Sequence, residues 1–201
     1  MIHPNTAIQY LDIKVGEPRY KTINDLYKEY SHKPELLITG KDYRSTDINF
    51  IGDNINITEL FGWTKLLGIR RIEYTDPKSP VKWYKIKAGN KEVIVSQDEL
   101  IPFYDISNHT LGFHGEVKYE YVLKQILKST NQDHIRLHNG EDDKGNIIEF
   151  DTRKIISVPL IENNFNYGYE INTRSKFFNG NDIHLYGSNE LDIKELKKWY
   201  K

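Results

Sequence analysis

The sequence predicts a mainly β chain of antiparallel strands with a few short helices, and three observations carry that reading. Lys82–Lys87 and Glu92–Ser96 each alternate polar with apolar residues, the period of a half-buried strand. Between them Ala88-Gly89-Asn90-Lys91 offers Gly and Asn, which tolerate the positive φ that a tight hairpin connection needs. Upstream, Trp63–Glu73 is a long run rich in β-forming residues, separated from the hairpin by a loop over 74–81.

The remaining elements follow in chain order. Met1–Ile8 reads as a short opening strand with a Pro4-Asn5 turn. Ile23, Leu26, Tyr27 and Tyr30 recur at the i, i+3, i+4, i+7 spacing of an amphipathic helix near residues 22–30, capped by Thr22 or Asn24. Glu35–Thr39 is a strand, 41–53 a polar connection, and 54–60 the lead into the long strand. Residues 106–115 read as a loop. Tyr119, Val122, Leu123, Ile126 and Leu127 mark one face of a helix near 117–128. Strands at 133–137, 147–150 and 154–158 flank an acidic turn at 139–146. Leu191, Ile193, Leu196, Trp199 and Tyr200 give 189–201 the pattern of a C-terminal helix. The expected core draws on Ile8, Leu26, Trp63, Ile69, Ile72, Tyr84, Ile86, Val93, Val95, Ile156, Val158, Tyr169, Ile171 and Ile183.

Bulk properties narrow the function. A chain of 201 residues buries one good-sized core, so one domain over 1–188 with a short tail over 189–201 is expected. The net charge of −1 supplies no field to recruit nucleic acid or an anionic membrane, and Arg70-Arg71 with scattered lysines forms no basic stripe. The absence of cysteine excludes disulfides, zinc-thiolate sites and cysteine nucleophiles. No apolar run approaches the ~20 residues of a membrane span, and no signal-peptide core follows Met1. An intracellular or virion location is therefore expected. Abundant Tyr, Asn, Ile and Lys with little Ala or Met fits the coding bias of an AT-rich phage or bacterial genome.

Three separated blocks together resemble the Hint domain, the self-processing fold of inteins and hedgehog proteins. Met1-x-x-Pro4-Asn5-Thr6-x-Ile8 followed by Lys21-Thr22-Ile23-Asn24-Asp25-Leu26 is similar to the family's opening Cys-x-x-Gly-Asp-Thr-x-Val and its short helix Lys-x-Ile-x-Asp-Leu. Ser96-Gln97-Asp98-Glu99 falls where that family has Thr-x-x-His. Gly168-Tyr169-Glu170-Ile171, then Phe177-Phe178, then Asn181–Ser188 resembles the closing motif that ends His-Asn before Cys, Ser or Thr. The resemblance implies a horseshoe of curved strands with pseudo-twofold halves. It also implies that Met1 stands at the nucleophile and Thr6 at the Thr of the opening motif, Ser96 and Glu99 at the block that activates the first peptide bond, and Tyr186, Gly187 and Ser188 at the penultimate His, the terminal Asn and the residue after the splice point.

On that alignment the chemistry of the family has lost its groups. A Hint nucleophile attacks the peptide bond before itself to give a thioester or ester; a thioether cannot. Glu99 is ordinarily an anion and cannot stand in for a protonated imidazole unless burial raises its pKa. Gly187 has no amide to cyclise, and Tyr186 is a poor proton shuttle. If Met1 is the natural start, no upstream bond exists to cleave. No catalytic residue, cofactor or metal is therefore expected, and the implied function is a non-catalytic module with a protein partner, a large phage-type assembly included. Residual self-processing through Ser188, Ser96 or Glu99 is the alternative, and a nucleic-acid-binding protein associated with a homing endonuclease the third.

The other candidates read as structure. His134-x-x-x-His138 shares a face in a strand, His109 and His114 sit in a loop, and Asn139 lies mid-chain before a turn. Glu141, Asp142 and Asp143 lack the register of a calcium loop. Between Pro102 and Gly168 there is no room for a complete endonuclease.

Overall fold

A computed structural model of the chain describes residues 1–12, 15–29, 36–39, 44–59, 62–76, 80–111, 117–130, 132–141, 147–154, 160–161 and 165–187. Strands dominate: β1 (Ala7–Asp12), β2 (Glu17–Thr22), β3 (Leu36–Thr39), β4 (Arg44–Glu59), β5 (Gly62–Tyr74), β6 (Trp83–Ala88), β7 (Lys91–Ser96), β8 (Leu100–Leu111) and β9 (Val117–Gln125) come first. Then follow β10 (His134–Glu141), β11 (Ile147–Lys154), β12 (Leu160–Ile161), β13 (Tyr167–Thr173), β14 (Phe177–Gly180) and β15 (Ile183–Tyr186). One helix, α1 (Ile23–Glu29), and a 3-10 turn at Ile126–Lys128 complete the described elements.

The pairing is antiparallel throughout. A large curled sheet runs β13-β5-β4-β1-β14-β15-β10-β8-β9, with β2 on β1, β3 on β4 and β11 on β10; β12-β6-β7 form a second, three-stranded sheet. The opening tripeptide is the seam between them. Ile2 exchanges hydrogen bonds with Tyr169 of β13 (2.8 and 3.0 Å), while Ser96 N donates to Met1 O (2.9 Å) and His3 N to Ile94 O (3.1 Å) on β7. The horseshoe of curved antiparallel strands implied by the sequence is the architecture observed.

The expected hairpin forms as β6–β7, with Ala88 paired to Lys91 and Gly89 at φ +55° supplying the positive φ. Helix α1 is capped by Thr22, whose Oγ1 accepts from Asp25 N (3.1 Å), and buries Ile23, Leu26 and Tyr27. Ile8, Leu26, Ile69, Ile72, Ile86, Val93, Val95, Tyr169, Ile171 and Ile183 are buried as expected. Ile156 and Val158 lie outside the described residues, as does the expected helix over 189–201.

Five sequence expectations are corrected. Trp63 is 41% exposed, because strand alternation turns Thr64 and Leu66 inward and Trp63 out; the buried tryptophan is Trp83, whose Nε1 donates to Phe165 O at 3.0 Å. Tyr84 is half-buried rather than core. The polar segment 41–53 belongs, from Arg44 on, to the 16-residue β4, held by its ladder to β5. Residues 106–111 of the expected loop and 117–125 of the expected helix are instead the ribbon β8–β9, interrupted by a bulge of three residues after Asp105, and only Ile126–Lys128 are helical, as a 3-10 turn. Tyr and Val in 117–125 favour a strand once β8 offers a partner, which overrides the helical spacing.

Candidate functional site

The residues aligned to the two ends of a self-processing domain meet along one edge of β13. Ile2 bonds that edge at Tyr169, and Gly187 abuts it at Ile171, two residues further on, or about 7 Å along a strand. Carbonyls two residues apart point to the same side of a strand, so both ends share that edge, opposite to β5.

At the first end the Met1 nitrogen donates to Ser96 Oγ (2.9 Å) and pairs with the Glu99 carboxylate, which is 3% exposed. Ser96 in turn donates its hydroxyl to Asp98, whose other oxygen accepts from Tyr74 Oη at 3.2 Å. The turn that closes β7, with Glu99 N donating to Ser96 O (3.1 Å), is what brings the Ser96 and Glu99 side chains to one nitrogen. Burial pushes the Glu99 carboxyl above its ordinary range, and the Met1 ammonium opposes that shift without cancelling it. Asp98 moves the other way: the same ammonium and the Ser96 and Tyr74 hydroxyls outweigh its desolvation and hold it below the usual range.

The Met1 side chain is fully buried against Ile72 and Trp83. Gly168 makes this possible, since a Cβ there would meet the Trp83 ring at 2.6 Å and Met1 Cβ at 3.1 Å. A thioether in an apolar slot fits.

At the second end Tyr186 closes β15, edge-on to Phe177 at 5.5 Å between ring centres. Gly187 N donates to Lys176 O at 2.8 Å. A Cβ on Gly187 would lie 2.5 Å from Ile171 O, so main chain occupies the space a side chain would need. The β14–β15 turn that delivers this end is Asn181-Asp182, with φ of +49° and +61° at its two positions. Asn181 accepts from Ala7 N (2.6 Å) and donates to Glu92 O (3.0 Å), and Asp182 accepts from Tyr20 Oη and Lys91 Nζ, each at 2.9 Å.

The structure thus gathers Met1, Ser96 and Glu99 at one nitrogen and brings Tyr186 and Gly187 to the neighbouring part of β13. Thr6 is buried elsewhere, with its methyl toward Gly180 and its carbonyl accepting from Ile23 N (2.8 Å). Ser188 lies outside the described residues. Sequence reading missed two members. Asp98 is legible only as an acid one residue before Glu99. His184, one face over in β15, is buried beside Asn179 (Nδ1 to Oδ1, 3.3 Å) and stacked on Phe177 at 5.0 Å. Burial and the neighbouring Arg136 charge lower its pKa to about 3, so the ring is neutral.

Of the remaining candidates, His134 and His138 lie buried on one face of β10, His138 Nε2 standing 3.3 Å from Gln9 Oε1. Asn139 and Glu141 continue that strand rather than forming a turn, and His109 is in β8 rather than a loop. His114, Asp142 and Asp143 lie outside the described residues. Arg70 pairs with Glu170, and Arg71 sits 4.2 Å over the Tyr167 ring. Among the described residues no three His, Asp or Glu side chains converge as a metal site would require. No helix among them is long and apolar enough to cross a membrane.

Comparison with solved structures gives this arrangement its fold. The chain superposes on a mini-intein of transcription factor IIB (Mvu) with a TM-score of 0.66 at 14% identity, over 92% of this chain and 99% of that one. This is the intein fold. An intein from a hyperthermophile matches the chain with a TM-score of 0.65 at 12% identity, over 92% of this chain and 98% of that one. The PabCDC21-1 intein matches at 0.65 and 13%, over 93% and 98%. No protein-family model matches the sequence, and no curated protein does. The intein fold is thus present nearly end to end at identities of 11 to 17% across the similar structures, which carry the fold alone.

Proposed function

We propose that the chain is a Hint-fold module that no longer splices or cleaves and is retained for binding or assembly. One observation carries this reading: the position aligned to the terminal asparagine is a glycine against whose Cβ site a main-chain oxygen stands at 2.5 Å. The backbone has closed over the place where a cyclising side chain would work. The buried Met1 thioether at the nucleophile position supports it, because that group forms no acyl ester. The partner is another protein, and a structural role in a phage or mobile-element assembly is the setting we favour.

The test is a fusion in which unrelated folded domains flank the chain, incubated and weighed by mass spectrometry. The intact fusion is expected; a ligated product or a fragment cut at Met1 or after Gly187 refutes the reading. A second reading is a residual cleavage before Met1, favoured by the Ser96 hydroxyl and Glu99 carboxyl that both reach the Met1 nitrogen. In that reading the Ser96 hydroxyl takes the upstream acyl group as an ester, its proton going to the Met1 nitrogen, which leaves as an amine; hydroxylamine-dependent release of the upstream domain, lost in Ser96→Ala, would establish it. Purification from the source with stoichiometric companions would identify the assembly.

A further inference from the structure

We propose that the Ser96–Glu99 turn is a recognition site for a free α-ammonium at residue 1, so that freeing the Met1 nitrogen from any acyl group, an upstream peptide included, locks the seam between the two sheets. The site works in this way whether or not the module ever cleaves.

Two acceptors meet the Met1 nitrogen. Ser96 Oγ stands at 2.9 Å, and the Glu99 carboxylate pairs with the nitrogen directly. The Ser96 hydrogen has Asp98 and, at 3.3 Å, Met1 O to go to, so toward the nitrogen the hydroxyl accepts. Serving both acceptors takes two N–H groups. An ammonium carries three and a positive charge; an acylated nitrogen carries one and no charge. Acylation would leave the Glu99 carboxylate, 3% exposed, without a cation, since among the described residues no Lys, Arg or His side chain pairs with it. A carboxylate buried in that way is strongly unfavourable.

Space points the same way. Met1 is 2% exposed over the whole residue, with its side chain packed against Ile72 and Trp83 and its carbonyl accepting from Ser96 N. An acyl carbon would sit about 1.3 Å from the nitrogen, in a site that the Ser96 and Glu99 oxygens already close. The seam transmits the state of that nitrogen, because the next two residues tie it to both sheets: Ile2 to Tyr169 of β13 and His3 to Ile94 of β7. The departure at position 99 follows from the same chemistry. An ionised carboxylate only accepts, which suits an ammonium better than an amide.

The test compares the chain carrying a free Met1 amine with the same chain carrying one glycine before Met1, each confirmed by mass. In urea titration the glycine form should lose about tenfold or more in its folded-to-unfolded ratio. Its Ile2, His3 and Ser96 amides, which make the seam, should exchange with solvent well before those of the β6–β7 hairpin. Glu99→Gln should cost the free-amine chain about tenfold or more and cost the glycine form nothing, because a neutral side chain suits a neutral nitrogen. If the glycine form does not fold, its recovery by Glu99→Gln supports the site and continued unfolding overturns it. Equal stability of the two parents, or a Glu99→Gln effect of one size in both, also overturns it. None of these readouts bears on splicing, which the flanked fusion alone decides.

Discussion

The Ile171 carbonyl oxygen lies 2.5 Å from the point a Gly187 Cβ would occupy, closer than any real Cβ approaches main chain. Gly187 is buried and tied by its N–H to Lys176 O, so it cannot slide outward without breaking the close of β15. Restoring the asparagine that the alignment calls for should therefore damage the fold rather than revive chemistry. Gly187→Asn is expected to lose about 1–3 kcal/mol of stability in urea titration, the usual cost of overpacking, with no cleavage in the flanked fusion. A variant as stable as the parent that released its downstream domain would show the closure to be incidental.

Glu99 anchors the other end. In a chain that begins at Met1 the Glu99 carboxylate faces an ammonium in a site from which water is excluded. Removing one partner of such a pair leaves a buried charge, which costs about 3–5 kcal/mol. Here the Ser96 hydroxyl and the depressed Asp98 carboxylate remain nearby, so Glu99→Ala should fall at or below the lower end of that range. The sign with pH is also fixed. The folded carboxyl pKa lies above the ordinary value of 4.5, so the native state holds the proton longer and the Glu99 contribution to stability falls as pH rises through that window. Denaturation series on the parent and Glu99→Gln should differ most in slope just above pH 4.5; parallel curves there would remove the argument.

His184 acts in the opposite sense. Its folded pKa is lowered to about 3 from 6.5 by burial, and the positive charge of Arg136 adds to the effect. Between those values the unfolded chain binds a proton that the folded chain does not, so stability is lost as pH falls from 6.5 toward 3. One proton corresponds to about 1.4 kcal/mol per pH unit, or about 2 kcal/mol between pH 6.5 and 5. Replacing His184 by Gln should flatten that limb of the pH profile even if it lowers stability at pH 7. An unchanged slope would locate the acid sensitivity elsewhere.

These residues also show what sequence could and could not disclose. The β6–β7 hairpin and helix α1 were legible because their signals are local: period-two alternation, a Gly-containing turn, a Thr cap. The pairing of Met1 with Glu99 was legible only through the resemblance, since 98 positions separate them. Strand β4 hid behind polar residues, its ladder being supplied by β5 rather than by its own pattern. Strand β9 hid behind a helical spacing that means nothing once β8 lies alongside. His184 had no signature at all: burial comes from Phe177, Asn179 and β10, which only the sheet order brings together.

Asn181 offers the last test, because it does two separable jobs. Its backbone takes φ +49° at the first position of the β14–β15 turn, and its side chain joins that turn to Ala7 in β1 and Glu92 in β7. Asn181→Gly keeps the backbone freedom and loses both side-chain hydrogen bonds, which are worth about 1 kcal/mol each. Asn181→Ala loses the bonds and must also hold a left-handed conformation, for about 1–2 kcal/mol more. Asn181→Asp keeps the acceptor for Ala7 N and gives up only the donor to Glu92 O. Stability should therefore fall in the order Asn, Asp, Gly, Ala. If Ala were no worse than Gly, the positive φ would not be what selects Asn181, and the turn would owe its place to the side-chain bonds alone.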